Sequence, residues 1–300
     1  MTAPLKILVA GSTGQVAQSL VEAASLRENI ALSAMGRPTL DITQAGSITS
    51  ALDAIQPDLI INAAAYTAVD KAETERKAAY LVNETGPRLL AEAAREASIP
   101  LVHLSTDYVF NGQGKEPYKE SDPVDPLGIY GSSKFAGEEA VRTTHTHHLI
   151  LRTAWVYGVY GGNFLKTMLR VAENRDELGV VADQRGAPTS SHDIAEALLD
   201  LASAVTGNDP TQAWGTYHMT AQGDAVWADF AEAIFSASVR RDGPSAQVNR
   251  ITTDNYPTPA ARPAYSVLDC SALEQTFGIA LPHWEASVAS VVSRILNEKV

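Results

Sequence analysis

The sequence holds a single cysteine, Cys270. An internal disulfide is therefore excluded, and no cysteine-based zinc cluster fits the spacing such sites need. No apolar run approaches the roughly 20 residues of a membrane-spanning helix. The opening MTAPLKILVAGSTG has no basic region ahead of a long apolar stretch, so it reads as a strand ending in glycine and not as a secretory signal. Basic residues are the minority: 23 Lys and Arg against 35 Asp and Glu give a net charge of −12. No basic run stands out, which argues against a nucleic-acid partner. Internal repeats and low-complexity segments are absent as well. The expectation is a cytoplasmic globular protein without a membrane or nucleic-acid partner.

What is present is an alternation of short apolar runs with amphipathic segments. Leu5 to Ala10 reads as a strand buried on both faces, followed by a helix from Gln15 to Ala24. Ile30 to Met35, Asp58 to Ala63, Leu101 to Ser105 and Leu149 to Val156 read as further strands. Between them, a helix capped by Ser47 is stopped by Pro57, and a helical stretch from Ala78 to Ala97 is interrupted at Gly86-Pro87. A further helix carries Tyr130 and Lys134. Strand and helix in alternation predict an α/β fold, a Rossmann-type doubly wound parallel sheet. After Gly161 the pattern loosens. Short strands are expected at Val180 to Ala182, Tyr217 to Met219 and Ile251, with helices at Ser191 to Ala204, Asp224 to Ala237 and Trp284 to Leu296. The expected division is a dinucleotide-binding domain over 1–160 and a smaller C-terminal substrate-binding lobe over 161–300, with later segments free to rejoin the sheet.

The turn after the first strand runs Gly11-Ser12-Thr13-Gly14-Gln15-Val16-Ala17. Gly11 would make the tight turn, Gly14 would let a pyrophosphate approach the backbone, and Ala17 would allow close helix–strand packing. The helix N-terminus then offers free N–H groups to phosphate. After the second strand, an acidic residue would bind a ribose 2′-hydroxyl, but Gly36-Arg37 stands there. Arg37 either pairs with a 2′-phosphate, which favours NADPH over NADH, or is a solvated surface cation. Asp41 and Ile42 are placed beside the adenine.

Tyr130 and Lys134 are four residues apart and share a helix face. A free phenol has a pKa near ~10, and an adjacent ammonium would lower it toward useful proton transfer. The fourth strand ends in Ser105-Thr106-Asp107. One of the two hydroxyls would face the cleft and complete a hydroxyl/Tyr/Lys arrangement. Alternation along the strand allows only one, and the sequence leaves both Ser105 and Thr106 open. His145, His147 and His148 read as polar residues of a surface loop. Ser190 or Ser191 reads as a helix N-cap, since adjacent Ser, His and Asp cannot form a triad.

At these residues the chain resembles the extended short-chain dehydrogenase/reductases and, within them, the dTDP-4-dehydrorhamnose reductases. The resemblance is carried by GSTGQVA (Gly11 to Ala17), NAAAYTAVDKAE (Asn62 to Glu73), LSTDYVFNG (Leu104 to Gly112), YGSSKFAGE (Tyr130 to Glu138), LRTAWVYG (Leu151 to Gly158), DQRGAPT (Asp183 to Thr189) and RPAYSVLDCSAL (Arg262 to Leu273). It implies reduction of the 4-keto group of a dTDP-linked 6-deoxyhexulose with NADPH or NADH, and it gives the catalytic roles to Thr106, Tyr130 and Lys134. Gly11, Thr13, Gly14, Gln15, Val16, Arg37, Asp41, Ile42 and Ala63, Ala64 and Ala65 would hold the cofactor with Tyr130 and Lys134. Val69 and Lys71 would lie on a loop that meets cofactor or substrate, Asp107 and Tyr108 would shape the sugar pocket, and Arg262 would meet the diphosphate. Trp155 would touch the sugar nucleotide or serve as a core aromatic.

The chain departs from the family at several points. Ala17 replaces a common glycine, and Asn111 stands where Asp is frequent, which implies a changed turn. Ser19 and His192 stand where some relatives hold a dimer-bridging magnesium with acidic side chains. Neither suits a hard cation, so a monomer or weak dimer without a bridging metal is expected. Two other functions stay open at this point: a related epimerase, dehydratase or nucleotide-sugar 4-ketoreductase making a different 6-deoxyhexose, and a non-catalytic NADP-binding regulatory subunit.

Overall fold

A computed structural model describes residues 3–206 and 213–297. The elements run in chain order β1 (Leu5–Ala10), α1 (Gln15–Ala24), β2 (Ile30–Met35), α2 (Ala45–Ile55), β3 (Leu59–Asn62), α3 (Val69–Ala72), α4 (Arg76–Tyr80), α5 (Gly86–Ala97), β4 (Leu101–Thr106), α6 (Ile129–Thr144) and β5 (His148–Thr153). They continue as β6 (Val156–Tyr157), α7 (Phe164–Ala172), β7 (Glu177–Val181), β8 (Arg185–Gly186), β9 (Thr189–Ser190), α8 (Ser191–Val205), β10 (Gly215–His218), β11 (Ala225–Val226), α9 (Trp227–Val239), β12 (Gln247–Ile251), α10 (Ser271–Phe277) and α11 (Trp284–Asn297).

Six strands form one parallel sheet in the order β10-β5-β4-β3-β1-β2. The order reverses between β1 and β3, and ligands of such sheets bind outside the carboxyl ends of the strands at that crevice. Alternate residues of β1 feed two different cores. Ile7 and Val9 pack with α1 and α8, while Leu8 and Ala10 pack with α2 and α5. Segments after residue 160 therefore rejoin the first body: α8 lies in its core and β10 adds to its sheet edge. A separate core gathers α7, α9 and α11 around Phe230, Leu165 and Trp284. Three two-stranded ribbons, β7–β12, β8–β11 and β6–β9, surround that core.

Several local expectations are corrected. Ser47 does not cap α2; Gln44 occupies the cap position, and the Ser47 hydroxyl, inside the helix, accepts a bond from the Asp41 amide at 2.9 Å. Gly86-Pro87 does not interrupt its helix. A π-helical turn, Leu81–Thr85, carries α4 into α5, and Pro87 falls at the junction where the wide turn passes into the α-helix. The fifth strand breaks at Ala154-Trp155, where Trp155 takes a positive φ of 46°. His145 and His148 are buried rather than solvated: the ring of His145 pairs with the Ile99 carbonyl at 2.9 Å, and that of His148 with the His145 carbonyl at 2.5 Å. Burial lowers both imidazole pKa values. The expected cap of α8 is present: of the two serines left open, Ser190 serves, by accepting from the His192 amide.

Candidate active site

The site begins where β1 ends. Gly11 has a φ of +108°, and a side chain there would come within 3.2 Å of the Ala64 amide nitrogen, so glycine alone serves. Gly14 caps α1 with extended backbone and no side-chain bond, which leaves the first-turn N–H groups turned outward. Ala17 is buried between α1 and the sheet. The cavity in front of this turn, about 500 Å³, is lined by Gly11, Thr13, Gly14, Arg37, Asp41, Ile42, Ala63, Ala64 and Ala65, and also by Ser12, Leu40, Thr43, Thr67, Leu81 and Val82. Arg37 is exposed at its rim. Asp41 accepts bonds from the hydroxyl and amide of Thr43, and these hold its carboxyl below the usual range.

A second cavity, about 530 Å³, continues from the first through Thr13, Gly14, Ala63, Ala65 and Thr67. Gln15, Val16, Val69, Thr106, Asp107, Tyr108, Tyr130, Lys134 and Trp155 line it. Helix α6 is brought against this cavity by Gly131, where a Cβ would lie 2.1 Å from the Tyr108 carbonyl oxygen. The start of α6 is fixed by the Ile129 amide, which donates to Glu73 at 2.9 Å.

Between the two hydroxyls left open by the sequence, the structure separates the roles. Ser105 donates to the buried carboxylate of Glu138 at 2.5 Å. Thr106 accepts from the Tyr108 amide at 3.2 Å, and its hydroxyl donates to the Asp107 carboxyl at 3.1 Å, with the Tyr130 phenol beside it. The ring of Tyr108 stands edge-on to that of Tyr130, with centroids 5.5 Å apart.

The expected effect of Lys134 on Tyr130 is not what the geometry gives. The Lys134 ammonium donates to the Leu104 carbonyl of β4 at 2.6 Å. Burial pushes the Tyr130 phenol up to about 12, with the charge of Asp107 adding to it and the Thr106 hydroxyl opposing it. Burial also pushes Lys134 down to about 8, against the pull of Glu138. Tyr130 is thus held as a neutral phenol. Asp107 is buried too, and its carboxyl is raised to about 6 by desolvation, against the hydroxyls of Ser266 and Thr106. Its Oδ2 has no hydrogen-bond partner among the described residues.

A third cavity, about 330 Å³, shares Tyr108 with the second. Phe164, Thr167 and Met168 from α7, Trp227 from α9, Gln184, Tyr256 and Arg262 line it. Arg262 pairs with Asp70 at 2.9 Å and also donates to the Ala260 carbonyl, so its guanidinium is already engaged. Trp155 stacks on Trp227 with centroids 3.6 Å apart. Lys71 is exposed and lines none of the three cavities. Sequence reasoning did not single out the α7 residues, Trp227 or Tyr256. The i, i+3, i+4 spacing of Phe164, Thr167 and Met168 was the available signal for the first group.

A glycine turn feeding a helix with no side-chain cap, with a hydroxyl at the end of a central strand beside a Tyr-x-x-x-Lys helix, defines a Rossmann-fold short-chain dehydrogenase/reductase. The family model described as the RmlD substrate binding domain matches residues 5–297. A dTDP-4-dehydrorhamnose reductase from Sinorhizobium fredii is 44% identical over 98% of this chain and 99% of its own length. The crystal structure of a dTDP-4-dehydrorhamnose reductase from Clostridium acetobutylicum superposes with a TM-score of 0.90, at 37% identity, over 97% of this chain and 99% of that one. That of a Bacillus anthracis dTDP-4-dehydrorhamnose reductase in complex with NADP also gives 0.90, at 35% identity, with the same coverage. The chain belongs to this family, the dTDP-4-dehydrorhamnose reductases.

Proposed function

We propose that this chain reduces the 4-keto group of dTDP-4-dehydro-L-rhamnose to give dTDP-L-rhamnose, with NADPH as the reductant. The observation that carries the proposal is the continuity of the three cavities, with Thr106, Tyr130 and Lys134 at their middle. The first accommodates the adenosine end of a dinucleotide, and the aromatic third accommodates a nucleoside. The complex of the Bacillus anthracis relative with NADP supports the choice of cofactor.

When bound, the reduced dinucleotide supplies a hydride to the carbonyl carbon. Tyr130 donates its phenolic proton to the carbonyl oxygen as negative charge develops there. Its raised pKa keeps that proton in place until the oxygen becomes basic. The Thr106 hydroxyl, which donates to Asp107 in the free protein, turns its proton to the same oxygen and stabilises its charge. Lys134 holds the ribose of the dinucleotide and, through Leu104, the end of β4. Gly11 to Val16 and Ala63 to Ala65 hold the phosphates and the neighbouring sugar, with Asp41 and Ile42 beside the adenine. Val69, Asp107, Tyr108 and Trp155 surround the hexose. Arg262 turns from Asp70 to the diphosphate, for which a guanidinium fork is suited. The enzyme works as a monomer or weak dimer without a bridging metal, in the cytoplasm, where reduced dinucleotides are maintained.

The test is consumption of NADPH by the purified protein given dTDP-4-keto-6-deoxyglucose, with and without a separate 3,5-epimerase. Consumption only with the epimerase, yielding dTDP-L-rhamnose, supports the proposal. Consumption without it assigns a different 4-keto sugar. No consumption while NADPH still binds turns the reading toward another substrate or a regulatory subunit.

A further inference from the structure

Two charged residues of the quoted segments have no task in that reaction: Glu138, which ends YGSSKFAGE, and Arg152, in LRTAWVYG. Both side chains are buried, at 0% and 2% exposure. The guanidinium of Arg152, on β5, grips the carboxylate of Glu138, on α6, with two bonds: Nε to Oε1 at 2.9 Å and Nη2 to Oε2 at 2.6 Å. Ser105, on β4, donates to Oε1 as well. The guanidinium also lies 5.2 Å from the Phe110 ring centroid. A buried ion pair is a weak source of stability, because an apolar pair of similar volume commonly does as well. Its placement suggests another use.

Residues 130, 134 and 138 recur at helical spacing on one face of α6. Two successive residues of β4 are fastened to that face: the Leu104 carbonyl to Lys134, and the Ser105 hydroxyl to Glu138. The next residue is Thr106, whose hydroxyl lies beside the Tyr130 phenol. Ser105 and Arg152 are direct neighbours in the pairing of β4 with β5. Glu138 therefore joins α6, β4 and β5 one residue away from the reacting hydroxyls.

We infer that Glu138, held by Arg152 and Ser105, is a positioning residue: it sets α6 against β4 and supplies a negative charge beside Lys134. The inference rests on the proposed reductase reading. Burial alone would strip Lys134 of its proton more readily, and Glu138 opposes that. The other titratable groups around the pair are Tyr130 and Arg142 on α6, His103 on β4, His148 on β5 and His218 on β10. Arg142 lies 3.7 Å from Glu138. Burial lowers the pKa of all three histidines, so they stay neutral in the range where Lys134 titrates.

The experiment uses the full chain as Glu138→Gln and as the double variant Glu138→Leu with Arg152→Met, which leaves no charge unpaired. Thermal melts establish folding. Two quantities are read: kcat against KM, and the alkaline titration of the Lys134 side chain followed by its ¹³Cε signal, assigned with Lys134→Met. The expected result is a kcat lower by about 10- to 100-fold, with KM for the sugar nucleotide within about threefold. The Lys134 midpoint is expected to move to lower pH by about half a unit or more in both variants. A folded double variant with unchanged kcat and an unchanged Lys134 midpoint overturns the inference. So does failure of the double variant to fold, which makes the pair structural. If the parent protein does not turn over this substrate, the reductase reading fails, and the Lys134 titration still judges Glu138.

Discussion

The indole rings of Trp155 and Trp227 lie parallel within 4°, with centroids 3.6 Å apart. Trp155 follows β5 and lines the second cavity with Thr106 and Tyr130, and Trp227 opens α9 in the other core. The stack is therefore a floor common to the second and third cavities. Aromatic pairs contribute about 0.5–1.5 kcal/mol beyond the area they bury. Trp227→Ala is expected to raise KM for the sugar nucleotide about three- to tenfold with little change in kcat, as read by steady-state kinetics.

Tyr130→Phe removes the proton and leaves the ring. Turnover is expected to fall by about 10²–10⁴. NADPH affinity, measured by fluorescence titration, is expected to stay within about twofold, because the glycine turn and Arg37 are untouched. Near-normal turnover would remove Tyr130 from proton transfer.

Asp107 makes a pH prediction with a definite sign. Its carboxyl is raised to about 6 from an ordinary 3.8. The folded state therefore holds this proton more tightly than the unfolded chain. The stability that follows is fully present below the unfolded value and is lost as pH rises through about 6. At neutral pH a buried carboxylate with one oxygen unpaired is a penalty. Asp107→Asn is expected to be more stable than the parent by about 1–3 kcal/mol near pH 8 and no more stable near pH 4. Denaturant melts at the two pH values decide it.

Arg37→Ala is expected to raise KM for NADPH about tenfold and to leave KM for NADH nearly unchanged, since only the first carries the 2′-phosphate that a guanidinium matches. Equal effects on both would make Arg37 an ordinary surface charge.

Ser19 and Ser191 share a buried hydroxyl pair at 2.9 Å between α1 and α8, and His192 leans toward Glu196 at 3.9 Å. The hydroxyls of Ser19 and Ser191 and the imidazole of His192 are not the anionic oxygen ligands that a hard divalent cation takes. Treatment with a chelator is expected to leave the mass measured by light scattering unchanged. A dimer that splits would show a bridging ion.

The parts of this molecule legible in the sequence are those with short-range causes. The runs that became β1, β3 and β4 are apolar because parallel strands are buried on both faces. Gly11 and Tyr130 with Lys134 sit at spacings fixed by a single turn or a single helix. The third cavity was less legible, because α7, α9 and the loop around Tyr256 meet only through the fold. The pairing of Asp70 with Arg262 spans 192 residues. The direction of the Lys134 ammonium was also hidden: whether it turns to Tyr130 or to the Leu104 carbonyl depends on how far α6 stands from β4. Ser47 misled because a serine early in a helix can serve the loop before it as well as the helix itself.

The π-helical turn over Leu81–Thr85 has a consequence for how this protein can vary. Asn83, buried within it, accepts from the Tyr66 amide, donates to the Tyr66 carbonyl at 3.1 Å, and donates to the Ser133 hydroxyl at 3.0 Å. One amide thus spaces the loop beside the first two cavities, which Thr67 lines, from the helix that bears Tyr130. The wide turn works as a gauge block whose thickness is one residue. An insertion or deletion there would rotate Asn83 out of the gap and leave both edges unregistered, so this interior stretch tolerates neither loss of the Asn83 amide nor a change of length.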